Sequence, residues 1–180
     1  AATKFIFIKG GVDDPRFNDP YIDVEEWRDE PPEILGITGF TTQRPEGPPF
    51  RARHLYVHGG FKGTDLKFTI VFPPKEQYQG RFYQVTHQLL TNENTTPYNV
   101  AMAMDSGAYF IQTNMGGSEI ARSAEDNISG RTDPSIGNYR ANAAAAQYSR
   151  VVAQRVYGRK HRPFGYLYGG SGGAYQVVDA

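Results

Sequence analysis

The chain has 180 residues, and its 19 lysines plus arginines are balanced by 19 aspartates plus glutamates with no block of one sign, which argues against a nucleic-acid or membrane-surface partner. It has no cysteine, so a disulfide framework, a thiolate nucleophile and a cysteine-based metal site are all excluded. No apolar run reaches the length of a membrane-spanning helix, and the length fits one substantial core.

In chain order, Lys4 to Ile8 reads as a short strand, and Gly10-Gly-Val-Asp-Asp-Pro15 breaks it. From there to Phe50 the chain is rich in proline, glycine and acidic residues, so 1–50 is expected to be an irregular N-terminal arm. Ile34, Leu35, Ile37 and Phe40 give that arm something to bury; a solvated linker is the alternative.

A regular rhythm starts at Arg53. His54 to Val57 and Leu66 to Phe72 read as the strands of an antiparallel hairpin, with Gly59-Gly60 and Gly63 providing the turn. Arg81 to Thr86 is a strand, Tyr98 to Ser106 a helix and Ala108 to Thr113 a strand, an order that signals a parallel βαβ unit. Ser118 to Ile136 is polar and breaker-rich, as a loop at an active-site edge would be. A helix follows, with Asn138 as its cap, Ala141 and Ala143 to Ala146 as formers, and Gly158 at its exit. Phe164 to Tyr168 is the last strand. The fold class expected is α/β, an α/β-hydrolase-type mostly parallel sheet with an N-terminal antiparallel hairpin, incomplete in this chain.

That last strand delivers Gly169-Gly-Ser171-Gly-Gly173, which fits the Gly-x-Ser-x-Gly nucleophile elbow. A sharp strand-to-helix turn lifts the serine hydroxyl clear of the sheet, and only small neighbours two before and two after fit such a turn. Gly172 contributes a backbone N–H where an oxyanion would form, with the next helix's dipole behind it. A Gly/Ser linker is one alternative, against which stand the flanking segments Phe164 to Tyr168 and Ala174 to Val178, both fit for burial. A phosphate-binding loop is another; the Walker lysine is missing, and Tyr175 stands where a dinucleotide fingerprint has its third glycine.

A second oxyanion donor should come from the loop after Arg81 to Val85, which points to Thr86, His87 and Gln88. His58-Gly59-Gly60-Phe61 looks like a lipase-type oxyanion motif, but a second strand follows it where a crossover helix should. No histidine present is placed to act as base: His161 stands at the opposite end of the strand that carries Ser171, about 20 Å away at 3.3 Å per residue. His54 and His58 belong to the hairpin, and His87 would need an unusual triad order. His54 and His58 have period-four spacing, but they are not helical neighbours on a strand, and no metal or cofactor is expected. Asp105, Asp126, Asp133 and Asp179 are isolated carboxylates with ordinary solvated or capping roles.

With these elements in place, about Arg53 to Gln176 resembles the tannase and feruloyl esterase family of α/β-hydrolases. The resemblance lies in Leu66-x-Phe-x-Ile-Val-Phe-Pro73, Tyr78-Gln-Gly-Arg-Phe82, Gly107-Ala-Tyr-Phe110, Arg140-Ala141, Tyr157-Gly158 and Tyr168-Gly-Gly-Ser-Gly-Gly173. It implies an esterase-type serine hydrolase with Ser171 as nucleophile. The family carries a cysteine where this chain has Gly170, and a glycine-rich oxyanion stretch where it has Thr86-His87-Gln88-Leu89.

The expectation is therefore that 51–180 is the N-terminal part of a hydrolase catalytic domain, cleaving a small-molecule or polymer-linked ester through an acyl-enzyme. The acid and histidine follow the serine in such enzymes, so a missing C-terminal portion, or a second polypeptide, would supply them and this chain alone would be inactive. A non-catalytic binding or scaffold protein on the same fold, or an amidase or peptidase with the same machinery, are the other readings. The Ala1 start fits a trimmed signal peptide, which slightly favours an extracellular setting, or a boundary in a longer chain. The triplets Asn94-Thr-Thr96 and Asn127-Ile-Ser129 have the glycosylation pattern but are common by chance.

Overall fold

The computed structural model describes residues 11–29, 53–86, 92–117, 133–158, 161–170 and 172–179. The strand expected over Lys4 to Ile8 and the apolar stretch from Ile34 to Phe40 lie outside them. Among the described residues six strands form one sheet: β1 (Pro20–Arg28), β2 (His54–Phe61), β3 (Lys67–Phe72), β4 (Arg81–Thr86), β5 (Ala108–Thr113) and β6 (Phe164–Gly169). Three α-helices join them: α1 (Pro97–Asp105), α2 (Ala141–Tyr157) and α3 (Gly172–Asp179).

The spatial order is β1-β2-β3-β5-β4-β6. β1 to β3 and the β3/β5 pair are antiparallel, while β4 pairs in parallel with both β5 and β6. The sheet is therefore mixed rather than mostly parallel, because β1 and β3 run against the other four strands. The βαβ unit β4-α1-β5 forms as its pattern predicts, since parallel neighbours need a crossover and a helix supplies it.

Two expectations are corrected here. Pro20–Arg28, read as part of an irregular arm, is the edge strand β1, and residues before it enter the core: Val12 and Phe17 are fully buried, with Phe17 edge-on to Phe61 at 5.5 Å. Local composition disfavours a strand there, but pairing along the whole of β2 overrides it. Gly59 and Gly60 do not turn the hairpin; they lie inside β2, and the turn follows, with Thr64 N–H bonded to Phe61 O at 3.2 Å and Gly63 at φ +73°. Their glycines serve a close approach instead. A β-carbon on Gly59 would stand 2.1 Å from Tyr21 O, where β1 bulges between Ile22 and Val24.

Alternation along the strands sorts side chains onto two faces. One face, with Phe61, Phe68, Phe72, Phe82 and Tyr109, packs under α2; the other, with Val71, Val85 and Phe110, packs under α1. Each aromatic so buried contributes about 1.5–3 kcal/mol. α1 starts as a capped helix should, with Thr96 accepting from Asn99 N–H at 3.2 Å and Pro97 in the first turn. α2 is preceded by a π-helical turn over Ile136–Arg140, which takes Asn138 inside the helical rise instead of capping it. The start signal is Asp133-Pro134-Ser135, with Asp133 Oδ1 accepting from Ser135 N–H at 2.9 Å. Gly158, at φ +64°, ends α2 as expected.

Candidate functional site

The C-terminal ends of β4, β5 and β6 meet the starts of α2 and α3 at one place. β6 ends at Gly169 and α3 begins at Gly172, so the chain changes from strand to helix within two residues, with Gly173 N–H bonded to Gly170 O at 2.9 Å. Thr86, the last residue of β4, pairs with Gly169. A β-carbon on Gly169 would lie 2.2 Å from Thr86 Oγ1, and one on Gly173 would lie 2.3 Å from Thr86 O. Both contacts are far inside van der Waals distance, so the junction demands glycine at these two positions for want of room. Gly170 between them has open space around its Cα, with nothing within 4 Å of an added β-carbon. Thr86 Oγ1 donates to Gly173 O at 2.8 Å, with Tyr168 O also near at 3.2 Å. One hydroxyl thus ties the end of the strand to the first turn of the helix.

Of the residues singled out from sequence, Ser171, His87 and Gln88 lie outside the described residues. Gly172 opens α3, as expected. Thr86 is not a loop residue free to donate to an oxyanion: its backbone belongs to β4 and its hydroxyl is occupied. His58-Gly59-Gly60-Phe61 lies in β2, four strand positions from β6, or about 19 Å at 4.8 Å per strand. His161 is exposed and precedes the start of β6, at the end away from Gly169.

Sequence reasoning missed the polar side chains packed beneath this junction. Asn142, in the first turn of α2, is 2% exposed. Its Oδ1 accepts from Thr113 Oγ1 at 2.7 Å, its Nδ2 donates to Gln176 Oε1 at 3.1 Å, and its backbone carbonyl accepts from Gln84 Nε2 at 2.9 Å. Thr113 Oγ1 in turn accepts from Met115 N–H at 3.0 Å. Met115 has φ +59°, a left-handed backbone that a non-glycine side chain takes only at a cost of about 1–2 kcal/mol, and Gln176 Nε2 reaches its sulfur at 3.6 Å. A signal was present: Phe82, Gln84 and Thr86 share the face of β4 that packs under α2, so Gln84 is an amide in a core position.

No family model matches this sequence, and no curated protein does. Among solved structures, tannin acyl hydrolase from Aspergillus niger superposes on 92% of this chain with a TM-score of 0.53 at 17% identity. The likeness and the sheet with its helices agree on a fold of the α/β class. At this identity the likeness concerns the fold alone, and the chain spans 31% of that hydrolase's length.

Two further features of the sheet lie away from the junction. On the α1 face His58 is held at both nitrogens, Nδ1 2.6 Å from Asp23 Oδ1 and Nε2 3.3 Å from Glu93 Oε1. The bond to Glu93 raises the imidazole pKa, against desolvation, and Asp23 adds to the rise; the same bond lowers that of Glu93. Lys67, bonded to Tyr21 OH, completes the cluster. On the α2 face a cleft of about 260 Å³ lies between α2 and β6, lined by Phe82, Arg150, Arg162 and Leu167 among others. Burial, and then the neighbouring Arg162 charge, lower the Arg150 pKa. Among the described residues no three or more His, Asp or Glu converge as metal ligands, and no helix is long and apolar enough to cross a membrane.

Proposed function

We propose that this chain carries the nucleophile of an esterase-type serine hydrolase. The observation that carries the reading is the packing of Gly169 and Gly173 on Thr86, because it leaves no room for side chains at the positions two before and two after the serine in Gly-x-Ser-x-Gly. Position supports it too: β6 is a parallel strand, and open α/β sheets bind ligands outside the carboxyl ends of such strands. The hydrolase-like fold is the third support.

In this mechanism Ser171 attacks the ester carbonyl, and the tetrahedral oxyanion is held by the N–H of Gly172 and a donor from the segment of His87 and Gln88. The alcohol leaves and water releases the acid from the acyl-enzyme. The base and its orienting carboxylate come from further polypeptide. The outer edge of β6, which meets no further strand among the described residues, and the exposure of Phe164 (76%) and Tyr166 (50%) support a docking face for it, since a parallel edge strand bearing aromatics is suited to a sheet interior.

The experiment is covalent labelling of the complete protein with a fluorophosphonate probe, followed by peptide mapping. Label on Ser171 that disappears in Ser171→Ala is the expected outcome. An unlabelled serine in a folded protein would favour a binding or scaffold role, and preference for amide over ester substrates would reassign the class.

A further inference from the structure

We propose that Asn142 is a positioning residue: with Gln84, Thr113 and Gln176 it forms a buried amide network that sets the rotation of α3, and through it the aim of the serine's turn. The proposal rests on the reading of Ser171 as nucleophile, but its structural half can be measured independently.

The network joins four elements. Gln84 comes from β4, Thr113 from β5, Asn142 from α2 and Gln176 from α3, and each is at most 5% exposed. Apolar side chains of similar size would pack α2 and α3 on the sheet without the desolvation cost of buried amides. What apolar packing lacks is direction. Asn142 Oδ1 accepts from Thr113 Oγ1, and its Nδ2 donates to Gln176 Oε1, so sheet and helix are linked through a planar group of fixed geometry.

The place where that link meets α3 decides what it controls. Gln176 follows Gly173 by three residues, so the two lie on one face of the helix. Gly173 O is held by Thr86 and Gln176 Oε1 by Asn142, giving α3 two anchors one turn apart. One anchor would leave the helix free to rock about it; two fix its roll. Because α3 begins one residue after the serine in sequence, its roll fixes the aim of the Gly172 N–H and of the turn before it. The left-handed backbone of Met115, bonded to Thr113 and touched by Gln176, is consistent with a surround that over-determines this corner.

The test compares wild type, Asn142→Leu, Gln176→Leu and the double variant in the complete protein. The double variant replaces both amides, so neither is left buried without its partner. Three quantities are read: the thermal transition, amide hydrogen exchange over 173–178, and the rate constant for fluorophosphonate labelling of Ser171 across pH. The expected result is a cooperative transition in the double variant, exchange in α3 at least tenfold faster and labelling at least tenfold slower. An unchanged labelling pH profile is also expected, because the serine's aim has changed and its base has not. Unchanged exchange and labelling in a folded double variant would overturn the proposal and leave the network as packing. Absence of labelling in the wild type would instead sink the reading of Ser171, while the exchange arm still decides whether Asn142 sets α3. Should Asn142→Leu fail to fold, Gln176→Leu, which cuts the same link from the helix side, carries the comparison.

Discussion

At the scale of single residues, three of the four glycines that flank position 171 differ in their surroundings. Gly169 and Gly173 press on Thr86, so an alanine at either must displace strand backbone or hydroxyl, and overpacking of this kind costs about 1–3 kcal/mol. Gly170 meets nothing within 4 Å and its φ is not in the left-handed region. Gly170→Ala is therefore expected to be neutral or to stabilise by about 0.4–1 kcal/mol through a stiffer unfolded chain. Urea denaturation of the three alanine variants checks this order, and equal losses at all three positions would contradict it. The motif was legible in the sequence as a spacing. That Gly169 and Gly173 are fixed by contact with Thr86, and Gly170 by none, could be read only from the approach of β4.

At the scale of elements, the sheet is tied to its loops by charges that titrate. His58 on β2 joins Asp23 on β1 to Glu93 in the segment before α1, and Gln112 on β5 donates to the carbonyls of Asn92 and Asn94 on either side of Glu93. Bonding to Glu93 raises the His58 pKa above its ordinary 6.5, so its contribution is whole below 6.5 and is lost as pH rises through the folded value. Glu93, lowered from 4.5 by the same bond, contributes above 4.5 and loses that contribution as pH falls through its folded value. The clamp is thus strongest between about pH 4.5 and 6.5. His58→Gln is expected to flatten the alkaline side of the melting temperature against pH by a few degrees, since about 1 kcal/mol corresponds to about 2–4 °C in a chain of this size. A profile identical to wild type from pH 5 to 9 would show that the clamp contributes nothing. The same scale shows how far patterns carried: β4, β5 and the exit of α2 fall where alternation and Gly158 put them, because those signals are local. β1 was missed because its pairing is with a strand 26 residues further along, and Gly59-Gly60 was misread because a glycine pair signals a turn and a close strand crossing alike.

For the whole molecule, β1 and β6 are the two edges of the sheet among the described residues, and β6 is the edge that bears exposed aromatics along a parallel strand. Among the described residues it pairs with β4 alone, and Phe164 and Tyr166 stand out on the α1 face while Gly165 and Leu167 line the cleft on the other. An exposed edge with aromatic side chains is a template for association. The 180-residue chain by itself is expected to self-associate in the micromolar range, and Phe164→Ser with Tyr166→Lys to shift sedimentation velocity profiles toward the monomer. Monomeric behaviour of the unaltered chain up to 100-fold higher concentration would refute that. Arg140, just before α2, provides a contrast. Its guanidinium grips Asp14 at 2.6 and 3.0 Å and Asp133 at 2.6 Å, so the segment before β1 is locked to the start of α2; the bond to Arg140 lowers the Asp14 pKa, while that of Asp133 is lowered first by the Ser135 hydroxyl, with Arg140 adding to it.

The sequence alone determined what depends on near neighbours: the alternation that makes β4 and β5, the alanines that make α2, and the glycine spacing that brackets Ser171. Tertiary structure decided what depends on elements distant along the chain. It made β1 an edge strand, turned Thr86 from a loop donor into the clamp of a junction, and gathered Gln84, Thr113, Asn142 and Gln176 from four elements into one network. The reason is physical. Propensity and periodicity are properties of a few consecutive residues, whereas a buried amide or a crowded glycine acquires its meaning from the atom that packs against it, and that atom belongs to a different part of the chain.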